Sequence, residues 1–261
     1  MRFGMLNHRT TIVFFATFWT VLIALSFIYT VYGYWFVISI LLFLSIEFYG
    51  AYFVDSGFHI KTISSVNTNE KIVALTFDDG PMPQRTEKVL DVLTKFNAKA
   101  TFFCIGNRIT GNELLLKKID GAGHLIGNHS YSHSNLFDLM NTKKMVSDLQ
   151  SGNEEIKKVI GKTPAFFRPP YGVTTPSLAK ACRKLNFDVI GWNIRSFDTT
   201  IKNKQKVVER VIKHIKPGSI LLFHDTVDGL ELVLEDVLIY LKNNNYKVIE
   251  LDQLLQKKAY A

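Results

Sequence analysis

Thr76-Phe77-Asp78-Asp79-Gly80-Pro81, His129-Ser130-Tyr131-Ser132-His133 and Arg168-Pro169-Pro170-Tyr171-Gly172 bring three kinds of reactive group into one chain. They hold two adjacent carboxylates, two imidazoles four residues apart, and a guanidinium beside a rigid loop. These are the parts of a metal-dependent hydrolytic site. Two neutral imidazoles and one carboxylate suit Zn2+ or another divalent transition ion, with positions left open for water and substrate. His129 and His133 share a face if their segment turns helical. Adjacent aspartates in an extended segment point in opposite directions, so one can bind the ion while the other accepts a proton from an activated water. Arg168 can hold that base carboxylate and keep it ionised, or serve as a strut beside its prolines. His224-Asp225 closes the apolar run 220–223, and a polar pair there makes a poor core filler. His224 is a candidate general acid, with Asp198 the carboxylate that orients it and raises its basicity. Taken singly, each string has an ordinary reading, a surface histidine pair or an Asp-Gly turn. Their coincidence weighs against it.

These groups must be carried by elements that bring them together. Apolar runs with β-branched or aromatic character occur at residues 71–77, 100–106, 124–129, 165–168, 188–194, 219–224 and 247–251. Helical periodicity falls between them at about 84–96, 112–122, 142–160, 176–185, 204–215 and 230–243. Alternation of this kind predicts an α/β fold with a mostly parallel sheet of about seven strands, either closed as a barrel or open and doubly wound. The polar groups favour the barrel. Asp78, His129, Arg168, Asp198 and His224 each end or follow a different strand, and the carboxyl ends of parallel strands are where such folds build sites.

The first 60 residues are of another kind. From Thr11 to Val54 the only charge is Glu47. That length is about twice the roughly 20 residues needed to cross a bilayer, so two transmembrane helices are expected, at about 11–32 and 34–52, turning near Gly33. The run is far longer than a signal-peptide core and lacks a clear small-x-small cleavage site. Tyr29, Tyr32, Tyr34, Trp35, Tyr49 and Tyr52 sit near the ends, as interfacial aromatics do. Glu47 lies within reach of an interface and is assigned no function. The domains expected are thus a membrane region, 1–60, and a catalytic domain, 61–261, in a multi-pass protein of the cell membrane. Arg2 and Arg9 precede the first span and the connection carries no Lys or Arg, which places the amino terminus, and with it the catalytic domain, in the cytoplasm. An enzyme acting on an external polymer requires the opposite orientation.

The net charge of +8 does not mark a nucleic-acid protein. Its lysines are scattered over helix faces, as at Lys117-Lys118, Lys143-Lys144 and Lys157-Lys158, with no nucleic-acid module beside them. Such a basic surface also suits anionic lipid headgroups. Two cysteines make no disulfide framework, and Cys104, inside an apolar strand, reads as a buried thiol.

With these strings in place, residues 71–251 resemble the NodB-homology polysaccharide deacetylases, carbohydrate esterase family four. The resemblance implies a distorted (β/α) barrel and a metal-dependent enzyme that removes N-acetyl groups from N-acetylglucosamine-type glycans. By resemblance Asp78 is the catalytic base, and Asp79, His129 and His133 are the metal ligands, with Zn2+ expected and Co2+ an alternative. Arg168 orients the base, the backbone N–H of Tyr171 contributes to the oxyanion hole, and His224 is the acid with Asp198 as its partner. The family's fourth motif, Asp-x-x-Asp-Trp, departs here: Arg195 stands for the first acid and Thr199 for the tryptophan that walls the acetyl pocket. Trp192 is a candidate to fill that place. Alternative substrates are a lipid-linked sugar precursor or an O-acetyl glycan, and a non-catalytic glycan-binding role is a third class. The partners expected are an acetylated glycan or glycolipid and membrane lipid, without nucleic acid.

Overall fold

The computed structural model describes residues 7–261; Arg2, one of the two arginines that bear on orientation, lies outside them. The chain runs α1 (His8–Ser26), α2 (Tyr34–Tyr52), β1 (Ile72–Asp78), α3 (Arg85–Lys95), β2 (Ala100–Cys104), α4 (Glu113–Gly121), β3 (Leu125–Asn128), α5 (Thr142–Ile160), β4 (Phe166–Phe167), α6 (Pro176–Lys184), β5 (Asp188–Val189), β6 (Ile194–Arg195), α7 (Lys204–His214), β7 (Ser219–His224), α8 (Leu230–Asn243), β8 (Lys247–Val248) and α9 (Leu251–Leu255). The strands are parallel, in the order β5-β4-β3-β2-β1-β7-β6, with β8 also pairing to β1.

Side-chain alternation along β1 sorts the barrel into layers. Val73, Leu75 and Phe77 face outward into the largest apolar cluster, which α3, α4, α7 and α8 cover. Ala74 faces inward and joins Phe103, Phe166, Ile190 and Ile220 in a floor that Leu251 and Leu254 of α9 plug. Above that floor the inward positions of β1 turn polar, Thr76 and then Asp78. On β7, Leu221 and Phe223 likewise face outward and Ile220 joins the floor, while Asp78 pairs in register with His224. Both polar ends therefore stand at one height on the rim.

One expected strand, 188–194, is divided. β5 pairs with β4 at one edge of the sheet and β6 pairs with β7 at the other, so this single extended segment crosses the open side of the barrel. A single strand cannot satisfy both edges without bending. The gap is filled by the segment before β1: Ile63 bridges Ile190 and Ser65 bridges Ser219. The last expected strand is shorter too, because the chain enters α9 at Leu251. Cys104 and Cys182 are buried free thiols.

The two N-terminal helices are each 19 residues, long and apolar enough to cross a membrane. The first spans His8–Ser26 rather than 11–32. Its start is set by a cap that hydropathy does not register: the Thr10 N–H donates to Asn7 Oδ1 at 3.0 Å and the Asn7 N–H to Thr10 Oγ1 at 3.1 Å. The second, Tyr34–Tyr52, has the expected bounds. Most of their large apolar side chains, Phe14, Ile23 and Phe48 among them, are exposed to the surroundings. The hairpin base meets the barrel, where the His8 N–H donates to the Phe58 carbonyl (3.1 Å) and Gly50 packs so closely on the Phe58 ring that a Cβ there would overlap it.

Candidate active site

Five strand ends and the loops beyond them deliver the expected residues to one cleft of about 200 Å3, lined by Asp78, Asp79, His129, His133, Tyr171, Trp192, Arg195, Thr199 and His224 among others. Asp78 is the last residue of β1 and is buried; Asp79 follows with φ of 78°. That left-handed turn overrides the expectation that adjacent aspartates diverge, and both carboxylates face the same imidazole. His129 Nε2 lies 3.8 Å from Asp78 Oδ2 and 3.6 Å from Asp79 Oδ1, and His133 Nε2 lies 3.4 Å from Asp79 Oδ1.

The two histidines do not share a helix face. They sit on a loop after β3 in which Ser130 (φ 64°) and His133 (φ 44°) reverse the backbone. Three braces hold it: Asn128 Oδ1 accepts from the Ser130 N–H (2.7 Å), Ser130 Oγ from the His133 N–H (2.9 Å), and Asp148 Oδ1 from the Tyr131 N–H (2.9 Å). His129 Nδ1 donates to the Arg168 carbonyl at 2.8 Å, which fixes the tautomer and leaves the Nε2 lone pair facing Asp79. Burial, aided by the neighbouring His129, pushes His133 down to about 4. Burial acts to raise Asp79, but His129, His224, His133 and Arg108 together hold it below the usual carboxylate range. A neutral His133 imidazole and an ionised Asp79 carboxylate, with His129 Nε2 beside them, are thus ready-made donors. Tetrahedral bonds of about 2.0–2.1 Å set ligand atoms about 3.4 Å apart. The separations of 3.4 and 3.6 Å about Asp79 fit a divalent ion held by Asp79, His129 and His133.

Arg168 lies inside the barrel, wholly buried. Its Nη1 donates to Asp78 Oδ1 (2.8 Å) and Thr76 Oγ1 (2.7 Å), Nη2 to the Gly191 carbonyl (2.9 Å) and Nε to the Ile190 carbonyl (3.3 Å), while its guanidinium stacks 4.2 Å above Phe103. The fork occupies Asp78 Oδ1 and leaves Oδ2 turned toward His129. Across the cleft, Asp198 grips His224 twice, its Oδ1 accepting from the ring Nδ1 and its Oδ2 from the backbone N–H, both at 2.8 Å. Burial works to lower His224, but the hydrogen bond and charge of Asp198, with Asp78 and Asp79 beyond, raise it above the ordinary imidazole value. Tyr171, with φ of 58°, stands against His133 with ring centroids 4.7 Å apart, its hydroxyl donating to Asn135 Oδ1 (2.9 Å).

The sequence and the fold have counterparts in other proteins. A family model for polysaccharide deacetylases matches residues 65–190. A peptidoglycan-N-acetylglucosamine deacetylase of Bacillus cereus is 35% identical over 205 residues, covering 74% of this chain and 92% of that protein. The chain belongs to the polysaccharide deacetylase family. Another relative of this polysaccharide deacetylase is the peptidoglycan-N-acetylmuramic acid deacetylase PdaA of Bacillus subtilis, 34% identical and covered to 74% in both chains. Among solved structures, the Bc1960 peptidoglycan N-acetylglucosamine deacetylase superposes with a TM-score of 0.72 at 32% identity, covering 76% of this chain and 94% of that one. A family 4 acetyl xylan esterase of Clostridium thermocellum, in complex with a cobalt ion, superposes with a TM-score of 0.66 at 32% identity, covering 71% and 90%.

The fourth-motif departures fall at the cleft wall, where Arg195 and Thr199 both line it. Trp192 lies there too, packed so tightly on Gly172 that a Cβ would come within 2.4 Å of its ring. Several supporting residues escaped the sequence reading. Thr76 was legible, since it shares the inner face of β1 with Asp78. Arg108, whose Nη1 donates to the Asp79 carbonyl at 2.6 Å, and Asp148, on the amphipathic helix α5, gave no local signal.

Proposed function

We propose that the chain is a divalent-metal-dependent N-deacetylase of N-acetylglucosamine-type glycans, anchored in the membrane by the α1–α2 hairpin, with residues 61–261 as its catalytic domain. The observation that carries the reading is Asp78, its Oδ1 clamped by buried Arg168 and its Oδ2 facing the His129–His133–Asp79 trio, with the Asp198–His224 pair on the same rim. An ion such as Zn2+ or Co2+ at the trio supplies Lewis-acid polarisation of the acyl carbonyl and a more acidic water. Asp78 accepts the proton of the attacking water through Oδ2. Arg168 keeps the base ionised and oriented. The backbone N–H of Tyr171 donates to the oxyanion of the tetrahedral intermediate. His224, protonated because Asp198 raises its basicity, gives its proton to the departing amine, and the products are acetate and a free amino sugar.

The test is acetate release by the full chain in detergent micelles, loaded with ZnCl2 or CoCl2, on N-acetylglucosamine oligomers and on O-acetylated xylan. The expected result is release from the amide substrate that stops on chelation and returns with the metal. Release from the ester alone shifts the reading to an O-acetyl esterase. No release from folded, metal-loaded protein shifts the reading to a lipid-linked substrate, with a glycan-binding role next in line.

One observation favours a second substrate, a lipid-linked sugar precursor. The Thr174 N–H, three residues beyond Tyr171, donates to the Ala51 carbonyl (3.0 Å) in the last turn of α2, so the loop bearing Tyr171 is tied to the hairpin base. A cleft so placed opens close to the bilayer surface.

Asp198→Asn is expected to act through His224. Without the carboxylate charge the imidazolium loses its stabilisation and its pKa falls. The protonated acid then disappears at lower pH, so the alkaline limb of kcat/KM moves to lower pH and the rate at neutral pH drops. A pH–rate profile for the two proteins checks it, and an unmoved limb counts against His224 as the acid.

A further inference from the structure

Away from the catalytic rim, a second set of donor atoms converges where the hairpin meets the barrel. His8 opens α1, Glu47 lies in the penultimate turn of α2, and His59 follows the hairpin. His8 Nδ1 lies 3.0 Å from both Glu47 carboxylate oxygens, and His59 Nε2 lies 3.8 Å from Glu47 Oε2. One donor atom from each of the three residues lies within 4.8 Å of the others. We propose that His8, Glu47 and His59 form a second divalent transition-metal site, of the Zn2+ class, that fastens the membrane hairpin to the catalytic barrel.

The donor set is two imidazoles and one carboxylate, the same chemistry as at the rim. The separation of 3.8 Å is too long for a hydrogen bond, yet 3.0 and 3.8 Å bracket the roughly 3.4 Å between donors that share a tetrahedral ion. His59 is the most telling member. Its side chain is only 3% exposed, and its Nδ1 has no hydrogen-bond partner among the described residues. Its other ring nitrogen, Nε2, faces Glu47 and is the donor an ion would take. Glu47 presents a second imbalance, being the sole acid of an otherwise apolar helix. A carboxylate at such a place calls for a cation. Access is open, because a groove of about 960 Å3 lined by His8, Phe58 and His59 adjoins the cluster. The three ligands come from the first helix, the second helix and the chain that leads to the barrel. An ion there crosslinks all three.

The experiment counts metal in the full chain in detergent micelles. Asp79→Ala/His129→Ala/His133→Ala removes the rim donors, so its result does not depend on the rim holding a metal. After equilibration with ZnCl2 and dialysis, this variant is expected to retain one equivalent, and with CoCl2 to show visible absorption of a coordinated ion. Adding Glu47→Gln and His59→Ala is expected to abolish both signals, and to abolish the Zn2+-dependent rise in melting temperature. A rim-free variant that melts cooperatively but holds no metal overturns the proposal, as does metal that survives Glu47→Gln with His59→Ala. Should the rim-free variant fail to fold, the native chain is compared with its His59→Ala form. A loss of one equivalent supports the second site, and equal metal content overturns it.

Discussion

Asp78→Asn is expected to lower kcat by roughly 100- to 10,000-fold, the range that a positioned general base contributes. The substitution is nearly isosteric, and its carbonyl oxygen still accepts from Arg168. What it removes is the ability of Oδ2 to take a proton. Because Asp78 faces the donor trio without being the atom at its centre, the variant should keep its metal, whereas Asp79→Asn should lose it. Metal content and kcat measured on the same preparations separate the two roles. If Asp78→Asn loses metal and Asp79→Asn retains it, the base and the ligand have been assigned the wrong way round. Asp78→Asn also leaves the buried guanidinium without its counter-charge, so the rates are to be compared at a temperature where both proteins are folded.

Arg168→Met is expected to destabilise the barrel by about 3–5 kcal/mol, as breaking a buried ion pair does, as well as to abolish activity. No side chain in the interior is more committed. Arg168 is wholly buried and donates to a carboxylate, a hydroxyl and two carbonyls drawn from β1 and from the segment 190–191 that crosses the open side of the barrel. Methionine fills the volume but leaves Asp78 charged and unpaired, and orphans the Gly191 and Ile190 carbonyls. The measurement is the denaturant midpoint of the two proteins at matched metal loading. A midpoint equal to that of the native chain excludes the strut role. Arg168→Lys should recover part of the charge but not the fork, giving a smaller loss of stability with most of the activity still missing.

The two variants also show how much of the site could be read from the chain. The alternation of β1 put Thr76 and Asp78 on the face opposite Val73, Leu75 and Phe77, so a polar inner rim was implicit in the pattern. The strand-end positions of His129, Arg168 and His224 were legible for the same reason. The left-handed turn at Asp79 was not, because neither the residue nor its neighbour dictates it. Nor was the loop of His129 and His133, whose four-residue spacing suggested a helix. Its two reversed residues persist because Asn128, Ser130 and Asp148 absorb the backbone N–H groups. Likewise 188–194 read as one strand, since apolar content does not reveal that its two ends pair with opposite edges of the sheet.

The amino-acid order by itself determined the inventory of reactive groups, the βα alternation, the strand faces and the apolar hairpin, because periodicity and side-chain chemistry are local properties. Tertiary structure alone decided the distances. Arg168 meets Asp78 across 90 positions, His224 meets Asp198 across 26, and His8 meets Glu47 across 39. Glu47, an unassigned charge in the linear reading, acquired partners only when the hairpin closed. Contacts of that kind depend on barrel curvature and on which edges remain open, and these are set by the packing of the whole chain.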